Sequence, residues 1–212
     1  MDPTLVTNLL GSIGLGAASG LNAWIPLFGL GVAERLGLVT LTAPYDRVGS
    51  TPALVVLGAL LVIDLVGDKV PVVDHVLHVV GMVVAPVSGA VMLLAQENLL
   101  SQSHPGLAAA AGVALGGTVH LSRSAVRPVV TAGTAGAGNP VVSAVEDIVS
   151  LALTVLAVLV PVLAFVALLV GSVVLWRKVR AWRRARAARR DAGPQVGPPS
   201  GPPPLTGPRA AP

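Results

Sequence analysis

A short stretch between two apolar segments concentrates the groups that could do chemistry: Asp64, Asp68, Asp74, His75 and His78. Asp74 and His78 are four residues apart, and His75 and His78 are three apart, so in a helix these side chains are neighbours. Ionisable groups in a membrane cost several kcal/mol unless they are paired or hydrated, and they commonly mark a pathway or a binding site. Carboxylate and imidazole groups together suit proton transfer or the binding of a divalent cation. This stretch therefore predicts an ion pathway.

A second acidic stretch, NPVVSAVEDIVS, occupies residues 139–150. Glu146 and Asp147 follow Pro140 by six and seven residues, which places them about 10 Å into a helix. Adjacent positions on a helix point about 100° apart, so one carboxylate is expected to face the bundle and the other a neighbouring helix or the interface. The complete set of predicted pathway residues is Asp64, Asp74, His75, His78, His120, Glu146 and Asp147.

The prolines that precede these acids have a structural interpretation. Pro71 and Pro140 are each expected in the first turn of a helix, where proline is favoured. Asp68 and Lys69 stand just before Pro71, so we predict that they lie at the membrane interface, with Asp68 capping the helix that Pro71 begins.

The elements that hold these groups are membrane helices. The chain has a mean hydropathy of +0.80 and is 11% charged, and residues 151–176 contain no charge at all. A run of 18 or more apolar residues is long enough to cross a hydrocarbon core of about 30 Å. We therefore predict an all-α, polytopic transmembrane bundle of about five spans, within a range of four to six.

Glycine and proline divide the bundle into segments. Residues 5–38 are too long for one simple crossing, since 34 helical residues extend about 51 Å, and GLNAWIP in their middle predicts a broken, Gly-rich first segment. The glycines themselves are expected to let helix backbones approach closely in lipid. The other predicted helices cover residues 52–67, 71–95, 106–122 and 141–178, with polar connections at 39–51 and 123–139 and an open possibility that Pro161 splits the last helix.

The positive charge is concentrated in one segment near the C-terminal end of the chain. Eight of the fourteen basic residues lie within residues 176–190, which leaves six basic residues against ten acidic ones elsewhere. Such a segment next to a span is typical of a cytoplasmic topology signal that attracts anionic lipid headgroups, and no nucleic-acid partner is expected. The residues assigned to this role are Arg177, Lys178, Arg180, Arg183 and Arg184.

Three regions follow from this composition. Residues 1–178 are predicted to form the transmembrane domain, 179–190 a basic juxtamembrane segment and 191–212 a disordered Pro/Gly-rich tail. The N-terminus lacks the positive region of a secretory signal, so its first apolar segment is expected to be retained. The expected location is the bacterial cytoplasmic (inner) membrane with the tail in the cytoplasm, and a homo-oligomer is compatible with the sequence.

Five segments carry a resemblance to a known family: SGLNAWIPLFGLGVAERLG, DKVPVVDH, APVSGA, GGTVHLSRSAVRP and GNPVVSAVEDIVS. In these motifs the chain resembles the bacterial integral membrane proteins grouped as domain of unknown function 4126, over about residues 5–178. The resemblance implies a multi-spanning protein of the bacterial inner membrane. It implies no activity and no ligand.

Three functions remain open at this point. The first and favoured one is a transporter or channel for a proton, a divalent metal or a small solute. The second is an accessory protein that organises partners and whose buried acids are paired with Lys69, Arg123 or Arg127 for structure. The third and least favoured is an enzyme, because the chain shows no recognisable hydrolase or phosphotransferase signature; Ser88 is interpreted as a packing residue. No cofactor is identified, although the carboxylates and imidazoles are compatible with a divalent metal.

Overall fold

The computed structural model describes residues 2–69 and 71–191, without the side chains at 71, 72, 74, 75 and 188–191. This part of the chain is almost entirely helical, and the predicted all-α fold is confirmed. Its helices are α1 (Pro3–Leu21), α2 (Trp24–Arg35), α3 (Thr51–Gly67), α4 (Pro71–Ala95), α5 (Leu99–Ser103), α6 (Pro105–Thr134), α7 (Asn139–Leu159) and α8 (Pro161–Asp191), with one 3-10 turn at Tyr45–Gly49.

In the part of the chain that the structure describes, four helices are long and apolar enough to cross a membrane, and α3 is a shorter apolar helix. Large aliphatic side chains such as Val55, Ile63 and Val83 are exposed on these helices, as expected for surfaces that face lipid. The segments that meet the length and hydropathy of a span are Pro3–Leu21, Val76–Ala95, Asn139–Leu159 and Pro161–Ala187. These features indicate a protein inserted in a membrane.

The predicted break in the first segment is present. Helix α1 ends at Leu21 because Asn22 adopts an extended conformation (φ −146°, ψ 118°), and α2 begins two residues later at Trp24. Asn22 is only 2% exposed, so the break lies inside the protein.

Helix α1 is the centre of the bundle and packs against α4, α6 and α7. Its second half is rich in glycine, alanine and serine, and these small residues are buried. A Cβ on Gly20 would lie 2.6 Å from the carbonyl oxygen of Gly116 on α6. The glycines therefore act as predicted, since they bring helix backbones close enough for van der Waals packing in lipid.

Helices α4 and α6 cross closely at Gly89 and Gly112. A Cβ on Gly112 would lie 2.6 Å from the Cα of Ala90. We expect Gly112→Ala to lower the free energy of unfolding in detergent micelles by about 1–3 kcal/mol, because the backbones would have to separate. Gly133→Ala on the same helix is the matched control: its Cβ has nothing within 4 Å, so stability should stay unchanged or rise by up to about 1 kcal/mol. Equal losses in both variants would contradict the close crossing.

The predicted end of the small-residue helix at residue 122 is wrong. Residues 123–134 are expected from the sequence to lie in a connection, but α6 continues through them and ends where Ala135 and Gly136 take positive φ. The helix persists because Arg123 and Arg127 make tertiary ion pairs, which override a local composition rich in serine, arginine and glycine.

The long last helix is divided at Pro161, the possibility left open by the sequence. Val160 departs from helical geometry (φ −141°, ψ 71°), and Pro161 begins α8. Proline has no N–H to donate and its ring clashes with the preceding turn, so it ends α7.

The chain divides into two compact units, one up to Gly171 and one from Ser172 onward. In the second unit, the guanidinium of Arg180 lies 5.0 Å from the ring centre of Trp176, and that of Arg186 lies 4.3 Å from the ring centre of Trp182. The basic segment is part of helix α8, which extends to Asp191. The tail predicted for residues 192–212 lies outside the described residues.

Candidate functional site

The break between α1 and α2 presents the side chain of Asn22 to two acids. Its amide nitrogen donates hydrogen bonds to Asp64 Oδ2 (2.7 Å) and Asp147 Oδ1 (2.9 Å). Its oxygen accepts from the backbone N–H groups of Trp24 (3.0 Å) and Ile25 (3.2 Å) at the start of α2. Asn22 thus uses both of its donors and both lone pairs, and it joins α2, α3 and α7 at one point.

The two carboxylates held by Asn22 form no direct ion pair among the described residues, although Arg123 lines the same cavity as Asp64. Neither Asp64 nor Asp147 forms an ion pair with any residue in the described part of the chain. Their second oxygens, Asp64 Oδ1 and Asp147 Oδ2, receive no hydrogen bond from those residues either. Asp147 is 8% exposed. Two acids from separate helices therefore share one neutral donor, the amide of Asn22. The second oxygen of each acid receives no hydrogen bond from the described residues.

The neighbouring acid Glu146 is bound differently. Its Oε2 lies 2.6 Å from Arg123 Nε and 3.5 Å from Arg127 Nη2, one helical turn apart on α6. Arg123 also donates to the carbonyl oxygen of Leu21, the last residue of α1. As expected from their adjacent positions on α7, Glu146 and Asp147 face different partners.

The ion pair between Arg123 and Glu146 should be strongly coupled. Arg123→Leu or Glu146→Leu alone is expected to lower the free energy of unfolding by about 3 kcal/mol, because each leaves a largely buried charge without its main partner. The double variant should lose clearly less than the sum of the two, as chemical unfolding in mixed micelles can measure. Asp46→Asn, on the exposed 3-10 turn, is a control expected within about 0.5 kcal/mol of the wild type. Strictly additive losses would contradict the pair.

Asp68 is a buried residue, and its predicted position at the membrane interface stays a prediction. It is the residue that ends α3, its side chain is buried, and it accepts hydrogen bonds from the hydroxyl of Ser143 and from Lys69 Nζ (2.7 Å). A serine on α7 thus draws the carboxylate inward, whereas the side chain of Lys69 is 44% exposed. Pro71 and Pro140 occupy the helix starts predicted for them.

A small polar cavity of about 30 Å³ adjoins the break, bounded by the α1–α2 junction, α3, α4 and α6. This is room for about one water molecule. Its polar walls are Asn22, Asp64, Asp68, His78, His120, Arg123 and Arg127.

The two histidines of the cavity stack on one another, with ring centres 5.2 Å apart and an interplanar angle of 24°. His120 is 4% exposed, and its Nε2 atom has no hydrogen-bond partner among the described residues. Gly81 makes room for this ring, since a Cβ there would lie 2.6 Å from His120 Cε1.

The structure brings five of the seven predicted pathway residues to this region: Asp64, His78, His120, Glu146 and Asp147. The side chains of Asp74 and His75 lie outside the described residues. Among the side chains that are described, no three acids or imidazoles converge as metal ligands, so the divalent metal stays a prediction.

The sequence interpretation missed Asn22 and Ser143 as parts of the site. Asn22 carries a usable signal, because an asparagine just before a helix start is a favoured capping residue. Arg123 and Arg127 were named only as partners of buried acids under the accessory-protein alternative, and both do contact Glu146.

A family model described as Domain of unknown function (DUF4126) matches residues 9–181, which include every residue of the site. The match confirms the resemblance seen in the sequence. No curated protein and no solved structure matched the chain.

Proposed function

We propose a function for this chain, which belongs to the family described as Domain of unknown function (DUF4126), from the geometry of its site. It is a transporter that binds a cation or a proton between Asp64 and Asp147 at the broken helix. The observation that carries this proposal is the convergence on Asn22 of two carboxylates, neither of which forms a direct ion pair among the described residues.

Electrostatics supports a bound positive charge at this place. Two negative charges about 4 Å apart repel by about 4 kcal/mol at an effective dielectric constant of about 20. A shared proton or a cation removes that repulsion, and the unused oxygens of both acids are available to receive it. Binding at such a pair is therefore favourable and also sensitive to any movement that separates the carboxylates.

The broken helix supports transport over a static site. Discontinuous helices at membrane depth expose backbone groups that coordinate ions, and they are common at the binding sites of transporters. Here the break adjoins the polar cavity that contains His78 and His120. Asp147, which also contacts the break, does not line that cavity. A rocking of α2 against α3 or α7 would change the separation of the two acids.

The test is a flux measurement on the full-length chain in proteoliposomes. Proton movement is followed with an internal pH-sensitive dye, and cation uptake with isotopes of Na⁺, K⁺ and Mn²⁺, against protein-free vesicles. Uptake above the protein-free level for one of these ions supports the proposal. No uptake of any of them under either polarity of membrane potential rejects it.

A second candidate is an accessory protein that organises partners, and it has one observation in its favour. Glu146 and Asp68 are both paired with cationic side chains, as expected if buried charges only fix helix positions. Asp64 and Asp147 do not fit this pattern, which is why transport is preferred.

The basic end of α8 supports an orientation. Clusters of lysine and arginine beside a span favour the cytoplasmic side and attract anionic lipid at about 1 kcal/mol per charge. We therefore place this end in the cytoplasm of a bacterium, against anionic headgroups of the inner membrane.

A further inference from the structure

One acid of the site, Asp147, also lines an apolar groove. Helix α2 packs against both α3 and α7, and the groove over α2 has a volume of about 520 Å³. Its walls are aliphatic and aromatic, and the side chains that matter most here are Phe28, Leu61, Leu65, Leu151 and Val155. Cavities of about 300–1,000 Å³ typically hold drug-sized ligands.

This apolar lining contains one charged group, the carboxylate of Asp147. The residue is more than nine-tenths buried, its Oδ1 is taken by Asn22, and its Oδ2 has no hydrogen-bond partner among the described residues. Thr154, the other polar side chain in the lining, already donates to the carbonyl oxygen of Ser150 (2.8 Å). The unsatisfied capacity of the groove is thus a single negative oxygen.

The groove is open on its outer side. Ile148 and Leu151 are 66% and 54% exposed, and Val155 is 45% exposed. An apolar molecule dissolved in the bilayer can reach such a groove sideways, without first crossing water.

We infer that the groove between α2, α3 and α7 binds an amphiphilic amine, with its apolar body against Phe28 and Val155 and its protonated nitrogen on Asp147. The inference rests on the proposed function, because it adds an amine to the cations that the Asp64–Asp147 pair receives. The chemical class of the ligand follows from charge complementarity. An ammonium group in an apolar setting needs a carboxylate partner, and the carboxylate of Asp147 needs a cation. An acyl chain alone would fill the walls and leave Asp147 unpaired.

The experiment measures binding of radiolabelled dodecylamine to the full-length chain in nanodiscs of zwitterionic lipid, after subtraction of empty discs. Dodecanol and dodecanoate carry the same chain with a neutral and a negative head, so they serve as competitors. Saturable binding that excess dodecanol and dodecanoate fail to displace supports the inference. Equal displacement by all three compounds overturns it, because the groove then recognises only the chain.

Two variants test the charged head and the apolar chain of dodecylamine separately. Asp147→Asn removes the charge, and Val155→Trp fills the groove from an exposed position; each should weaken dodecylamine binding by at least about tenfold. Val55→Trp, on an exposed face of α3 away from the groove, and Asp46→Asn are matched controls that should bind as the wild type does. Thermal unfolding of each variant confirms that it is folded. Unchanged affinity in folded Asp147→Asn or Val155→Trp overturns the inference.

Two further outcomes distinguish the alternatives. If Val155→Trp converts a dimer into a monomer without changing dodecylamine binding, the groove is an interface between copies and the inference fails. If dodecylamine does not bind but wild-type proteoliposomes still take up a cation, the inference fails and the proposed function stands.

Discussion

Asp147→Asn is expected to reduce cation flux in proteoliposomes by at least about thirtyfold while the protein keeps its fold. A buried charge contact contributes roughly 2–5 kcal/mol, and about 1.4 kcal/mol corresponds to a tenfold change. The asparagine oxygen can still accept the hydrogen bond that Asn22 now donates to Asp147 Oδ1. The substitution therefore removes the charge and preserves the local geometry.

Two controls make this result specific to the site. Asp46→Asn makes the same chemical change on the exposed turn and should leave flux unchanged. Asp147→Glu keeps the charge but displaces it by one methylene, so it should retain part of the flux. A folded Asp147→Asn protein with wild-type flux would show that the carboxylate takes no part in transport.

Asn22→Leu should cause a large loss of stability, about 3–5 kcal/mol in the free energy of unfolding. Leucine branches at the same carbon as asparagine and has as many side-chain heavy atoms, so the side chain keeps its shape. However, both acids lose their donor, and the N–H groups of Trp24 and Ile25 lose their acceptor. Urea unfolding in mixed micelles measures the change.

A rescue tests the reason for this loss. Combining Asn22→Leu with Asp64→Leu and Asp147→Leu removes the charges that the amide satisfied, and should restore a substantial part of the stability, since replacing all partners by apolar groups is often close to neutral. Asn8→Leu, where the amide bonds only to the carbonyl oxygen of Glu97 in an exposed position, should cost about 1 kcal/mol. No recovery in the triple variant would show that Asn22 stabilises the fold through something other than the two acids.

Much of the architecture could be predicted from local features. The start of α3 near residue 52, the bounds of α4 at 71 and 95 and the break at GLNAWIP all follow from proline, glycine and the length of apolar runs. These signals act within a few residues, through backbone sterics and missing hydrogen-bond donors. The errors occurred where distant contacts overrode them, as in residues 123–134, which stay helical because Arg123 and Arg127 reach Glu146.

The candidate site was predicted in part, and the reason is geometric. Apolar flanking sequence marks Asp64, Glu146 and Asp147 as unusual, because an ionisable group in lipid is costly wherever its helix points. Which of these acids forms an ion pair depends on the rotation and depth of each helix. Of two adjacent acids on one helix, one can be ion-paired and the other not. Glu146 is thus paired with two arginines, Arg123 and Arg127, whereas Asp147 accepts a hydrogen bond only from the amide of Asn22 among the described residues.

By itself, the sequence determined that this protein is a helical membrane bundle, where most of its helices begin and end, and which of its acids are anomalous. The tertiary structure alone decided that Asn22 joins Asp64 and Asp147 across 42 and 125 residues, that Asp68 turns inward to Ser143, and that Asp147 also lines an apolar groove. The physical reason is that hydropathy and helix termini are local properties of the chain. The pairing of charges is set by which helix faces meet, and that depends on the packing of glycine-lined helices against one another.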